Sequence, residues 1–512
     1  MDRREFLIAG TATILSAPHV LQDAPRTFTH TLPVSDVHYK QVKSYVENTP
    51  VPEYHWASER AYEDFLDMKF GIRLHWGIYS VRGFLHESWP FLNLSNEERQ
   101  AYNSLYKTWN PSGFNADEWV SFFAESGAKM FSFTSKHHEG FSMFDTRTRV
   151  RSRVNWTAPG GPAIEECDLA YSIMETPFKT DVVKELCDAA HKHRLKIDLY
   201  FSHPDWYDAD FRPYAYHPLQ TAASMTADTD NLRERIKSGN HFTVAPEPSS
   251  VELMRMMARH RAQLAELLSN YGKIDMIGLD QWLGPAVWPQ LRETIMYLRT
   301  IQPDVMFRAR GIGNYGDYYT PEGFVPGSKE NTDVPWFVIY PLGRSFSYDP
   351  DAAQYKGSRW IVQNLVDIVA KGGNFMVGIG PDGNGEFHPE AYRQLRAVGR
   401  WLKINSEAIY ATRAREGALW SEGETIRFTR TKDKRFVYAI TTEWQGKTLM
   451  LGKVKPRSGS AVFMLGYPEP LEWTQGSDDR IRVAIPDNLQ DASHRPCEFA
   501  WTFKIEAEGQ RS

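Results

Sequence analysis

At 512 residues the chain is too long for one ordinary domain and long enough for a barrel-sized catalytic domain with a smaller unit beside it. Its 59 Lys and Arg against 64 Asp and Glu give a formal net charge of −5, which leaves no basic field for nucleic acid and no polybasic patch for a membrane surface. Composition is that of a soluble globular protein, 42% hydrophobic and 24% charged, and the expected partner is small and neutral. The 16 Trp suit flat apolar walls of a concave site as readily as a large core.

The first 18 residues, MDRREFLIAGTATILSAP, have the layout of a bacterial export signal, and the RREFL core is of the twin-arginine type. The apolar run is too short to span a bilayer, so the expectation is a removable signal over residues 1–24 and a periplasmic or secreted protein. Cys167, Cys187 and Cys497 have neither disulfide-framework nor zinc-motif spacing, although one bridge stays open.

KFGIRLHWGIYS reads as a first strand, and from about residue 116 one pattern recurs: amphipathic helix, short loop, apolar strand, polar burst. It is read in ADEWVSFFAESGAKMFSFTSKHHEGF, KTDVVKELCDAAHKHRLKIDLYFSHPDW and ELMRMMARHRAQLAELLSNYGKIDMIGLDQW. WPQLRETIMYLRTIQPDVMFRARG and SRWIVQNLVDIVAKGGNFMVGIGPDG continue it. Strands buried on both faces read as continuous apolar runs, so this predicts a parallel sheet covered by helices. At least six such strands, with no GxGxxG after the first, favour a (β/α)8-like barrel over residues 25–411. Barrel chemistry collects at strand C-termini, which here carry His75, His137, His138, Tyr200, Asp205, Asp280 and Arg310. The stretch Thr221–Ser250, rich in Thr, Asp, Pro and Ser, reads as an insertion or long loop near the site. Residues 412–512 change to short alternating segments broken by Gly, Pro, Asp and Ser, which predicts an all-β sandwich that supports the barrel or contacts carbohydrate.

Asp280 closes the apolar run IDMIGLD and is followed by QWLGP, a poor helix start, which favours a reagent over a cap. His137 and His138 are adjacent in a strand whose side chains alternate, so at least one points along the barrel mouth. With His75 and Glu87 they form a set of donors and acceptors suited to neighbouring hydroxyls. The same histidines allow a second reading, with His75, His137, His138, His203 and Asp280 as metal ligands. No strand end offers the HxH or HExxH spacing that gives a metal two ligands from one rigid element, so the expectation is no metal and no cofactor.

Taken in order, FGIRLHWGIYS, SGAKMFSFTSKHHEGFSMFD, LYFSHPDW, IDMIGLDQW, DYYTPE and LVDIVAKGGNFMVGIGPDGNGEF followed by AVGRWLKINSEAIYAT resemble the motifs of glycoside hydrolase family 29, the α-L-fucosidases, over roughly residues 60 to 412. The resemblance implies a barrel-like domain with a C-terminal β-sandwich, no metal, and exo-acting, retaining hydrolysis of terminal α-L-fucosyl residues from an oligosaccharide or glycoconjugate. Carried over position by position, Asp280 is the nucleophile and Glu322 the acid/base, with Glu247, Glu330 and Asp333 as local competitors for the second role. His75, Glu87, His137, His138, Tyr200, Trp282 and Arg310 fall on sugar contacts, and Trp76, Tyr200, Trp282 or Trp336 would wall the apolar side of the sugar. Arg310 would help to stabilise one ionised carboxyl.

Two departures bear on substrate. Gly278 and Leu279 stand where the family has bulkier residues before the nucleophile, which predicts a wider pocket and leaves an α-L-galactoside or α-L-glucoside as alternative substrates. Glu139 in KHHEG stands where the family pattern has Asp. An inactive carbohydrate-binding barrel is the reading from another functional class.

Overall fold

A computed structural model of the protein describes residues 32–33, 36–214, 216–219, 247–321, 325 and 332–508. The expected signal, most of the Thr221–Ser250 segment, Glu322 and Glu330 lie outside the described residues.

Nine strands precede the C-terminal region among the described residues: β1 (Phe70–Leu74), β2 (Met130–Lys136), β3 (Val150–Asn155), β4 (Ala163–Leu169), β5 (Lys196–Ser202), β6 (Met276–Asp280), β7 (Met306–Phe307), β8 (Phe337–Pro341) and β9 (Asn374–Ile379). Strands β3 and β4 form an antiparallel hairpin. The other seven form one parallel sheet in the order β7-β6-β5-β2-β1-β9-β8. Between its edges runs an irregular eighth stave: Ala309 N donates to Tyr318 O at 2.9 Å, and Tyr319 N donates to Pro335 O at 3.1 Å. The parallel bridges Arg308–Tyr318 and Tyr319–Trp336 close the ring. This is the expected barrel, with the stave between β7 and β8 too short to read as a strand from sequence.

Local chemistry places the covering helices. Asn115 Oδ1 caps helix Ala116–Glu125, whose Trp119, Val120, Phe122 and Phe123 turn to the sheet. Asp181 caps Val182–His193 by accepting from Lys184 N, and Ser249 with Glu252 forms a reciprocal capping box on Ser250–Ser269. Helix Glu59–Met68 brings Tyr62, Phe65 and Met68 against Met130, Met276, Met306 and Met376, one methionine each from β2, β6, β7 and β9. The lower interior of the barrel is therefore flexible thioethers, which fill irregular space well.

After helix Pro389–Asn405 the chain becomes antiparallel. Ile426–Arg430, Phe436–Thr441, Trp501–Glu506 and Val462–Met464 share one sheet, and Thr448–Leu451, Ile481–Ala484 and Trp473–Gln475 form another. Phe428, Val437, Leu449, Leu451, Val483, Phe503 and Ile505 make one buried cluster from the two sheets, the sandwich core. Trp401 Nε1 donates to Ala500 O at 2.8 Å, and Arg427 Nε reaches Asp367 at 2.6 Å, so the sandwich is fastened to barrel helices. Cys167, Cys187 and Cys497 are all unpaired.

Candidate active site

At the C-terminal mouth of the barrel lies a cavity of about 430 Å³. Side-chain alternation puts every second residue of a strand inside, and the inward rows run Arg73 then His75, Tyr200 then Ser202, Gly278 then Asp280. The parallel register sets Ser202 beside Asp280 and Tyr200 beside Gly278.

Asp280 is 7% exposed. Arg310 Nη1 donates to its Oδ1 at 2.7 Å, and Arg308 Nη2 lies 3.4 Å from the same oxygen. The Tyr200 hydroxyl donates to Oδ2 at 2.5 Å. Burial alone would raise this carboxyl, but the two guanidiniums outweigh it and hold Asp280 well below the usual carboxylate range. Arg308 is itself fixed by donating to Leu279 O and Gly278 O. Asp280 is thus an ionised carboxylate near neutral pH, held in place on both oxygens.

The imidazoles are neutral. Burial, helped by the charge of Arg73, pushes His75 well down, and burial takes His137 down to about 3. His138 is also well below the imidazole range, through burial first and then its neighbour His137. His137 Nδ1 sits 2.5 Å from Ser88 Oγ and His138 Nδ1 sits 2.8 Å from Ser202 Oγ. Both histidines line the cavity, where alternation alone required at least one. They lie beyond the last ladder residue of β2, and the register shift between Thr134 and Lys136 ends strict alternation before they are reached.

Glu87 enters from the loop after β1 with a left-handed backbone, φ +49°. Ser345 Oγ and Ser347 N donate to its Oε1 at 3.1 and 3.2 Å, but burial still raises it to about 7. Gln281, next to the nucleophile candidate, is also left-handed at φ +61°. Strained non-glycine backbone of this kind gathers at functional sites.

The chain matches the α-L-fucosidase family model over residues 40–407 and the α-L-fucosidase C-terminal domain model over residues 421–506. The chain belongs to the α-L-fucosidase family, whose members are glycoside hydrolases. Human tissue α-L-fucosidase is 28% identical over 468 residues, covering 86% of this chain and 88% of that protein. Among solved structures, α-L-fucosidase isoenzyme 1 from Paenibacillus thiaminolyticus superposes with a TM-score of 0.69 at 23% identity, covering 88% of this chain and 99% of that one. The Thermotoga maritima α-fucosidase in complex with fucose gives a TM-score of 0.64 at 21% identity, over 86% and 96% of the two chains.

In this fucosidase-family barrel, His75, Glu87, His137, His138, Tyr200, Asp280 and Arg310 all line the one cavity. Trp282 does not line it; the indole meets Tyr216 edge-on at 5.5 Å, and Tyr216 in turn meets Trp89, which does line it. Trp76 is fully buried among Trp109, Phe114 and Trp119, with Nε1 donating to Asp382 O, so it builds the core. Trp336 is likewise absent from the cavity wall. Arg310, expected to stabilise one of the two carboxyls, bonds Asp280. The metal reading finds no support in the geometry: His203 faces His260 and Arg310 O, and no three His, Cys, Asp or Glu among the described residues converge on a metal position.

Gly278 and Leu279 do not widen the pocket. A Cβ on Gly278 would lie 3.0 Å from Asp198 Oδ1 and 3.4 Å from Tyr200 Cα, so its missing side chain makes room inside the barrel floor. Leu279 points the other way and is fully buried in the outer core. Glu139 is buried behind His137, with Oε2 3.5 Å from Nδ1, and burial raises it to about 8.

Sequence reading missed Arg73, Arg308, Trp89 and Phe346 in the wall. The two arginines were within reach, since each lies two residues before a named inward residue, His75 and Arg310. Phe346 stacks on His75 at 5.0 Å and 23°, and it enters where Gly378 leaves a gap: a Cβ there would be 2.5 Å from its Cδ1. A lone glycine inside an apolar strand was its only signal.

Proposed function

We propose that the protein is an exo-acting retaining α-L-fucosidase in which Asp280 is the nucleophile and Glu322 the acid/base. The observation that carries this is the Asp280 carboxylate, kept ionised by Arg310 and Arg308 at the end of β6 in a cavity of single-sugar size. In the first step an Asp280 oxygen attacks the anomeric carbon, the glycosidic C–O bond breaks, and Glu322 gives its proton to the leaving oxygen. Water then attacks the same carbon, Glu322 takes its proton, and Asp280 leaves as the carboxylate. Thr320 and Pro321, the residues just before Glu322, line the cavity, which supports that assignment. The neutral imidazoles and Glu87 supply hydrogen bonds for hydroxyls, and Phe346 with Trp89 supplies apolar faces.

The relatives are named α-L-fucosidases, and Gly278 and Leu279 lie off the cavity, so the α-L-galactoside and α-L-glucoside readings lose the observation that raised them. The ionised Asp280 in the cavity wall argues against an inactive binding barrel. Export by a twin-arginine route rests on Arg3-Arg4-Glu5-Phe6-Leu7 and belongs to the same proposal.

The test is hydrolysis of aryl α-L-fucoside, α-L-galactoside and α-L-glucoside by one preparation, following the anomer released by NMR. Rapid release of α-L-fucose first, with Asp280→Gly inactive alone but converting an activated aryl α-L-fucoside and added azide into β-L-fucosyl azide and the phenolate, supports the proposal. Initial release of the β anomer overturns retention, and full activity in both Asp280→Asn and Glu322→Ala overturns the residue assignment.

A further inference from the structure

Behind His138 runs a chain of short polar contacts that the proposed mechanism does not use. His138 Nδ1 is 2.8 Å from Ser202 Oγ, Ser202 Oγ is 3.1 Å from Tyr200 Oη, and Tyr200 Oη is 2.5 Å from Asp280 Oδ2. All four residues are buried, and Tyr200, Ser202 and Asp280 stand on adjoining strands in fixed register.

Proton directions follow from the acceptor end. Asp280 as a carboxylate only accepts, so the Tyr200 hydroxyl donates to it. The phenolic oxygen has then spent its proton, and the 3.1 Å contact to Ser202 is a hydrogen bond only if Ser202 Oγ–H donates. Ser202 in turn accepts from His138, which must carry its proton on Nδ1. The opposite assignment, Ser202 donating to His138, leaves two oxygens facing each other at 3.1 Å with no proton between them.

We infer that Ser202 is a positioning residue that fixes His138 as the Nδ1–H tautomer, so that its bare Nε2 demands a hydroxyl donor from the sugar. Nε2 lies 4.0 Å from Asp280 Oδ2, too far for a direct bond, and both atoms belong to residues of the cavity wall. A sugar hydroxyl that reaches Nε2 therefore acts as a donor to it. A deoxy or O-methylated sugar at that position leaves the nitrogen without a partner, which is the strong form of hydrogen-bond discrimination. Without Ser202, Nδ1 loses its acceptor and the nearest anion, Asp280, favours a proton on Nε2, which turns the ring from acceptor to donor.

The inference rests on the α-L-fucosidase proposal for its kinetic arm only. That arm measures kcat/KM for a series of monodeoxyfluoro aryl α-L-fucosides, whose fluorine can accept a hydrogen bond but cannot donate one, in the wild type, Ser202→Ala and Ser202→Thr. One member of the series should lose roughly tenfold more in the wild type than in Ser202→Ala, with Ser202→Thr restoring the loss. The second arm is 15N NMR of histidine-labelled free protein, with His138 assigned through His138→Asn. A protonated Nδ1 and bare Nε2 in the wild type, exchanged in Ser202→Ala, is the expected result. A protonated Nε2 in the wild type overturns the inference, as does a Ser202→Ala variant that keeps the full penalty for the fluoro sugar. Should Ser202→Ala not fold, the wild-type spectrum and Ser202→Thr still decide it. Failure of the fucosidase proposal shows separately, as a wild type that hydrolyses no member of the series while the NMR arm still reports on the chain.

Discussion

The Tyr200 hydroxyl donates to Asp280 Oδ2 at 2.5 Å while Arg310 holds Oδ1 at 2.7 Å, so each oxygen of the carboxylate has its own donor. Beneath the phenol ring sits Arg73, 4.3 Å from its centroid, which fixes the ring from below. The nucleophile candidate is held by Tyr200 from β5 and by Arg308 and Arg310 from the segment after β7.

Tyr200→Phe tests this arrangement. Removing a donor to the ionised form raises the Asp280 pKa, although Arg310 and Arg308 keep it depressed. The acidic limb of kcat/KM should move to higher pH, and the rate on the plateau should fall roughly 10- to 100-fold. An unmoved limb would show that Tyr200 does not act on the carboxylate.

Glu139 gives a stability prediction with a definite sign. Its carboxyl is raised from 4.5 to about 8 by burial, so the folded state holds a proton that the unfolded state has lost between those values. Stability therefore falls as pH rises through that window, by an amount on the order of a few kcal/mol. Glu139→Gln, neutral throughout, should flatten the decline. Its Tm at pH 8.5 should exceed that of the wild type, and the gap should close at pH 5.

Gly278→Ala separates floor from wall. The added Cβ meets Asp198 at 3.0 Å, so the variant should lose about 1–3 kcal/mol by overpacking in urea unfolding. The ratio of kcat/KM between aryl α-L-fucoside and α-L-galactoside should stay within twofold, roughly the effect of well under 1 kcal/mol. A large change in that ratio would restore Gly278 as a specificity residue.

Trp401→Phe probes the seam between barrel and sandwich. The variant strands Ala500 O, which accepts from Nε1 at 2.8 Å in a buried setting, and should cost about 1–3 kcal/mol. Activity per folded molecule at 25 °C should be unchanged, while heat inactivation should be faster.

How much of this was legible in the sequence depends on the distance over which each signal acts. Asp280, His75, His137 and His138 were readable because a polar residue at the end of a buried strand is a local pattern. Glu87 was named from its residue type beside the histidines and put on a sugar contact by the resemblance, since its loop has no period to read. Trp282 and Trp76 looked like wall because indoles suit sugars, but whether a ring faces the cavity is decided by the left-handed turn at Gln281 and by the aromatic packing around Trp76. The eighth stave escaped notice because Tyr318 and Tyr319 pair through single bridges, too short a run to show alternation. Phe346 is placed by Gly378, 32 positions later in the chain, and no local pattern joins the two.

That last pairing makes the aperture of the cavity a property of β9. Phe346 covers His75 only because position 378 carries a hydrogen where any other amino acid carries a carbon. One methyl group on β9 would evict a phenyl ring from the mouth of the barrel. Breadth of substrate acceptance can then be tuned from a backbone position that touches no sugar, leaving the carboxylate, its arginines and its tyrosine untouched.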